Sequence, residues 1–330
     1  MLATAKFYYG GQAVMEGVMM RGRSFAAVAG RRPDGSLYIY EEPLRSRLYQ
    51  SRIFRLPFLR GMLLLWETLN LGTRMMTLST NVATGALDPD ALAPTTVANE
   101  RERLNGSPHS TVEIDVERAT SVNTETPAPP GSLSLALSML VSLGMVVAIF
   151  FVGPLLLASL LSKKIGQNWL NPVLEGLIRL ALLVSYLTLI GRVPDIERVF
   201  GYHGAEHKAI NTMERGEPLD VAHVRLASRV HTRCGTGFLL LVMVLSIFVF
   251  ALFGSPSLLT RILSRILLVP VVAGIAYELM RLGAANEHFR VVRWLLAPGL
   301  ALQGLTTREP DDSMIECAIA ALQRAMLHDK

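Results

Sequence analysis

Cysteine is nearly missing from this chain of 330 residues: Cys234 and Cys317 are the only two. Two thiols make no disulfide framework, and both suit a reducing compartment. Charge is absent from two long stretches, residues 133–162 and 234–260. A secretory leader is also missing from the start, because MLATAKFYYGGQ has no basic end followed by an apolar run. No internal repeat is visible, which sets aside solenoids and propellers. The net charge is only +5, which gives no ground for nucleic-acid binding.

What is there is apolar surface. Hydrophobic residues make up 51% of the chain and the mean hydropathy is +0.37. Each charge-free run exceeds the roughly 20 residues that cross a bilayer as a helix. Two further candidates are residues 172–191, with Glu175 and Arg179, and residues 262–281, with Arg265. Glu175 and Arg179 stand four apart, so they can pair on one helix face and offset part of their burial cost. Four spans put the N-terminus, the 192–233 loop and the C-terminus on one side. That side holds Arg21, Arg23, Arg31, Arg32, Arg192, Arg198, Lys208, Arg281 and Arg293. The excess of positive charge predicts that this side, with both termini, is cytoplasmic. Lys163 and Lys164, on the other side, pull weakly against this orientation. A basic face beside the membrane suits anionic lipid.

Residues 10–45 read as a small β element around the turn sequence Pro33-Asp34-Gly35, preceded by GGQAVMEGVMMRG. Residues 56–80 read as a helix, with Arg60, Glu67 and Arg74 on one stripe. It can pack against the protein, lie in the membrane interface or form a fifth span. Residues 84–131 are rich in Thr, Pro, Ala, Asn and Glu, and too poor in apolar side chains to fold alone. Glu309-Pro310-Asp311-Asp312 resembles a helix start, which predicts a terminal helix over 313–327. Its apolar face would be Met314, Ile315, Ala318, Ile319 and Leu322.

The chemistry is concentrated in FGYHGAEHKAIN, where His203, Glu206 and His207 form H-x-x-E-H. Residues four apart share one helix face, so the two imidazoles can grip one ion. The order inverts the better-known H-E-x-x-H zinc motif. Glu206 would then take a proton from water that the ion activates. His231-Thr-Arg-Cys234 adds an H-x-x-C pair just before the second charge-free run. Zinc accepts imidazole nitrogen and thiolate sulfur, so His203, His207, His231 and Cys234 are candidate ligands. With all four bound the site would be closed and structural. With two His and a later carboxylate, Glu278 for instance, a position would stay open for water. Glu287 and His288 lie slightly further on. The bland alternative is a polar helix whose imidazoles hydrogen-bond to backbone or carboxylates. Gly10-Gly11-Gln12 matches the GGQ tripeptide of translation release factors, but nothing around it does.

GGQAVMEGVMMRG, FGYHGAEHKAIN, RVHTRCGTGF, AYELMR and PGLALQGLTTREPDD together resemble the YqhQ-like family of bacterial membrane proteins of unknown function. The resemblance runs from about Gly10 to about Leu322. Family members commonly read H-P-R-C-G-T, where this chain has Thr232 in place of proline. The family is labelled a predicted metal-dependent enzyme, which implies a metal at His203 and His207.

The expected fold is an α-helical membrane protein, about four transmembrane helices with a mixed α/β cytoplasmic cap. Residues 1–83 would hold the β element and amphipathic helix, and 84–131 a disordered linker. Residues 132–281 would form the membrane domain with its 192–233 loop, and 282–330 a cytoplasmic tail. The expected function is a metal-dependent hydrolase of the bacterial inner membrane, with zinc as the divalent ion. Glu206 would be catalytic, and a peptide or lipid-linked molecule the substrate. The rival is a non-catalytic membrane scaffold that binds a partner, with a structural metal or a hydrogen-bonded His/Cys cluster.

Overall fold

The computed structural model describes residues 9–44, 59–89, 141, 144–145, 148–165, 170–252 and 257–329. Strands β1 (Gly10–Val14), β2 (Gly17–Arg21), β3 (Phe25–Arg31) and β4 (Leu37–Pro43) form one antiparallel sheet in sequence order. Val14 pairs with Gly17, Gly17 with Gly30, and Gly30 with Tyr38. GGQAVMEGVMMRG is thus itself a hairpin, closed by Met15-Glu16. Glu16 has φ 51°, a left-handed conformation that costs a side chain such as glutamate. Arg198 donates to its carboxylate at 2.7 and 2.5 Å, and the Tyr202 hydroxyl lies 3.3 Å away.

Strand side chains alternate between faces, and here both faces are covered. Val18, Met20, Ala27 and Ala29 pack against helices α4 (Pro194–Glu214) and α9 (Asp312–Leu327). Val14, Met19, Ala26 and Val28 form the other face, with Leu71, Met75 and Val82 of helix α1 (Leu59–Ala83). This explains why GVMM and FAAVAG are apolar throughout rather than alternating. Helix α1 therefore packs against the protein, and its first turn reaches further, where Arg60 donates to Glu278 at 2.6 Å.

A π-turn, Ala148–Val152, leads into α2 (Gly153–Ile165), and α3 spans Leu170–Ile190. After α4 come α5 (Val221–Leu226), α6 (Gly235–Leu252) and α7 (Leu258–Ala285). Helix α8 (Arg290–Thr306) and α9 complete the chain. The C-terminal region, read as a tail with one terminal helix, thus holds two helices. In α9, Asp311 is the N-cap, its side chain accepting from the Met314 N–H at 2.9 Å. Pro310 stands before the cap rather than in the first turn. The face of Met314, Ile315, Ala318, Ile319 and Leu322 is buried as its spacing predicts.

Among the described residues, three helices are long and apolar enough to cross a membrane. They are Val173–Ile190, Gly235–Leu252 and Leu267–Ala285. The apolar stretch Ala148–Leu161 is shorter. Much of the expected span at 133–162, and the expected linker from residue 90 onward, lie outside the described residues. Glu175 and Arg179 do pair, at 2.7 Å, with both side chains almost wholly buried. Arg179 also donates to the Phe150 carbonyl in the π-turn at 2.9 Å and contacts Ser246 of α6 at 3.5 Å. One cation thereby joins α3, the π-turn and α6.

Candidate metal centre

Helix α4 starts with Pro194 in its first turn and Asp195 and Glu197 beside it, residues that suit a helix N-terminus. Its middle is buried almost all round, from Gly201 to Ile210, because the sheet, α9 and the 225–231 segment surround it. Polar side chains there must find partners. Lys208 donates to the Arg225 carbonyl at 2.7 Å. Asn211 donates to the carbonyls of Ser228 and Val230 at 2.7 and 3.0 Å. His207 Nδ1 lies 2.7 Å from the Arg229 carbonyl, and His203 Nδ1 lies 2.8 Å from the Thr306 carbonyl. A carbonyl only accepts, so each Nδ1 carries the proton and each Nε2 keeps its lone pair free.

Both free nitrogens meet Cys234. Its Sγ is 3.3 Å from His203 Nε2, and the donor atoms of His203, His207 and Cys234 all lie within 4.8 Å of one another. Ligand atoms around a tetrahedral zinc stand roughly 3.3–3.8 Å apart, given bonds of about 2.0–2.3 Å. The Thr236 N–H points at Cys234 Sγ from 3.4 Å, which helps fix where the sulfur sits. The donor set and the tautomers suit a zinc ion, and the Cys234–His203 distance of 3.3 Å matches that spacing. Imidazoles held by carbonyls through the far nitrogen are the usual outer support of metal ligands.

His231 lies outside this group. Its ring centroid is 5.7 Å from that of His207, but its Nε2 is 3.6 Å from Glu214 and 3.3 Å from Arg233. Glu278 is further removed, engaged by Arg60 of α1. The ion pair with Arg60 uses the carboxylate that the sequence offered as a ligand. Neither residue therefore joins His203, His207 and Cys234.

Glu206 is buried and leans on β1. A Cβ at Gly11 would lie 2.9 Å from its carboxyl carbon, so only glycine leaves room for it there. Burial pushes the carboxyl up to about 7, although neighbouring His203 and the Gly11 N–H pull it down. Burial likewise holds His207 below its ordinary value, while the bond with Cys234 opposes that. Cys317, the other thiol, is buried where α9 packs on the sheet and α4, and burial pushes it up to about 11.

Helix α8 supplies what the motif reading missed. Gln303 binds the main chain of His231, and Thr306 Oγ1 meets Thr236 Oγ1 at 3.0 Å. Gly204 of α4 lies directly against the Arg308 carbonyl, which brings Thr306 within reach of His203. The signal available in the sequence was a polar Gln303 and Thr306 three apart at the end of an otherwise apolar run.

These features define a mostly helical protein that has, among the described residues, three helices long and apolar enough to cross a membrane, a small four-stranded antiparallel sheet and a largely buried His/His/Cys group. The chain belongs to the family described as "Protein of unknown function (DUF1385)", whose model matches residues 56–328. It is 33% identical over 318 residues to the uncharacterized protein YqhQ of Bacillus subtilis (strain 168). That alignment covers 96% of this chain and 92% of the relative. No solved structure matches.

Proposed function

We propose that this is an integral protein of the bacterial cytoplasmic membrane that works as a metal-dependent hydrolase, with zinc held by His203, His207 and Cys234. The three apolar helices, the charge-free run at 133–162 and the arginine-rich cap support four spans with both termini and the cap in the cytoplasm. The observation that carries the reading is the meeting of two free Nε2 lone pairs with one thiol. Three protein ligands leave one of four tetrahedral positions open, the pattern of catalytic rather than structural zinc. A zinc ion bound there supplies Lewis acidity that makes water a nucleophile near neutral pH. Glu206, beside His207 on α4, would take the proton from that water. The substrate class is a membrane peptide or a lipid-linked molecule, because the group sits at the ends of apolar helices.

A second reading has its own support. His203 and His207 already tie α4 to Thr306 and Arg229, and the Glu206 carboxyl leans on Gly11. In that reading the ion is a staple and the protein a non-catalytic scaffold. Cobalt substitution separates the two. An open position predicts that added hydroxamate changes the visible cobalt spectrum. A spectrum indifferent to hydroxamate, with metal content normal, supports the staple. Glu206→Gln provides the second arm: retained metal with lost complementation of a deletion strain supports the hydrolase, and full complementation removes it.

A further inference from the structure

Helix α8 meets the three apolar helices one after another, each time at an end. A Cβ at Gly283, near the end of α7, would lie 3.2 Å from Leu296. A Cβ at Gly299 would lie 3.5 Å from Gly237, in the first turn of α6. Arg308, just past α8, donates to the Gly191 carbonyl, just past α3, at 3.2 Å. A helix with these contacts runs across the others on the side of the metal centre. Its inner face of Leu302, Gln303 and Thr306 is buried. Over its first turns, by contrast, the helix leaves an apolar stripe open to solvent: Val291 is 70% exposed, Trp294 76% and Leu295 65%. Their spacing of three and four residues makes one continuous face. Arg290 and Arg293, both exposed, stand at the start of the same helix.

Apolar surface of this size on one stripe calls for a cover. The apolar windows of 18 or 19 residues match the hydrocarbon thickness of about 30 Å. Their ends then fall at the headgroup boundary, and so does α8. Tryptophan and arginine are the residues that favour that depth. We propose that α8 is an in-plane membrane helix. Val291, Trp294 and Leu295 enter the acyl region of the leaflet on the metal-centre side, and Arg290 and Arg293 bind anionic phospholipid headgroups. This rests on the membrane reading above and adds a lipid-binding surface to it. Behind α8 opens a cleft of about 380 Å³ lined by Thr232, Glu287, His288, Arg293, Leu296 and Leu300. Thr232 places that cleft beside the turn that carries Cys234.

The test uses full-length protein in nanodiscs with brominated lipids, which quench tryptophan on contact. Trp66→Phe and Trp169→Phe leave Trp294 as the sole reporter. A second protein, with Trp294→Phe added and Val244→Trp introduced, reports from the middle of α6, where Val244 is exposed. Bromines near the headgroup end of the chains should quench Trp294 more than bromines near the chain terminus. Val244→Trp should show the reverse. Brominated phosphatidylglycerol should quench Trp294 at least twice as strongly as brominated phosphatidylcholine, and Arg290→Gln with Arg293→Gln should level the two. Quenching of the α6 reporter without Trp294 overturns the in-plane helix while the membrane reading stands. Quenching of neither overturns the membrane reading itself. Deep bromines acting best on Trp294, or equal quenching by both headgroups, also overturns the proposal. If the background without Trp66 and Trp169 loses its circular dichroism, the difference between wild type and Trp294→Phe reads the same quenching.

Discussion

The side-chain amide of Gln303 holds the main chain of His231 from both sides. Its Oε1 accepts from the His231 N–H at 2.9 Å, and its Nε2 donates to the His231 carbonyl at 2.8 Å. The bond sits where α8 meets the turn leading to Cys234, so it sets the position of the thiol. Gln303→Leu keeps the volume and leaves two buried backbone groups unpaired, each costing about 1–3 kcal/mol. Lowered thermal stability and weaker zinc retention should appear together, measured by unfolding and by metal analysis after dialysis. Unchanged zinc retention would separate α8 from the metal centre.

Zinc content should separate the ligands from their neighbours. His203→Ala, His207→Ala and Cys234→Ala are each expected to abolish stoichiometric zinc, whereas His231→Ala and Glu278→Gln retain it. The two ligand histidines should also lower the stability of the metal-free protein by about 1–3 kcal/mol, because the Thr306 and Arg229 carbonyls lose their donors. Cys234→Ala should change the metal-free protein less. Mass-spectrometric metal counts and melting curves on the same samples check both statements.

Acid should weaken the cap through Glu16. The hydrogen bond from Arg198 is the largest influence on its carboxyl and, despite burial, holds it below the ordinary carboxylate value. A lowered folded value means that the stabilisation is present above about 4.5 and is lost as pH falls through the lowered value. Glu16→Gln should therefore be less stable than wild type at neutral pH, with the gap closing in acid. Unfolding followed at a series of pH values reads this, and a gap that widens in acid contradicts it.

The Arg179–Glu175 pair should behave as a buried ion pair. Glu175→Leu leaves the guanidinium uncompensated and should cost about 3–5 kcal/mol. Glu175→Leu combined with Arg179→Met should recover most of that loss, because both charges are gone. Unfolding in mild detergent measures the cycle. Equal losses in the single and double variants would show that Arg179 acts chiefly through the Phe150 carbonyl and Ser246.

Several elements were legible because their signal is local. The spacing of Met314, Ile315, Ala318, Ile319 and Leu322 predicts the face that α9 buries, and Pro33-Asp34-Gly35 marks the turn between β3 and β4. H-x-x-E-H places His203 and His207 on one face of α4 by helix geometry alone. The β1–β2 hairpin was harder to read, since both faces of β2 are buried and no alternation survives. Helix α8 was hidden by the apolar and proline-containing run RVVRWLLAPGLALQGLT, which has no sharp polar start.

The sequence by itself determined the apolar helices, the family and the two motifs that carry chemistry, because each is written in consecutive residues. Only the tertiary structure decided which residues of those motifs meet. Cys234 reaches His203 across thirty-one positions because Gly204 admits the Arg308 carbonyl and Gln303 seats the His231 backbone. His231 is drawn to Glu214, and Glu278 to Arg60, by charges that lie far away in the chain. Spacing states which side chains share a helix face, but the partner opposite that face is chosen by packing between distant segments.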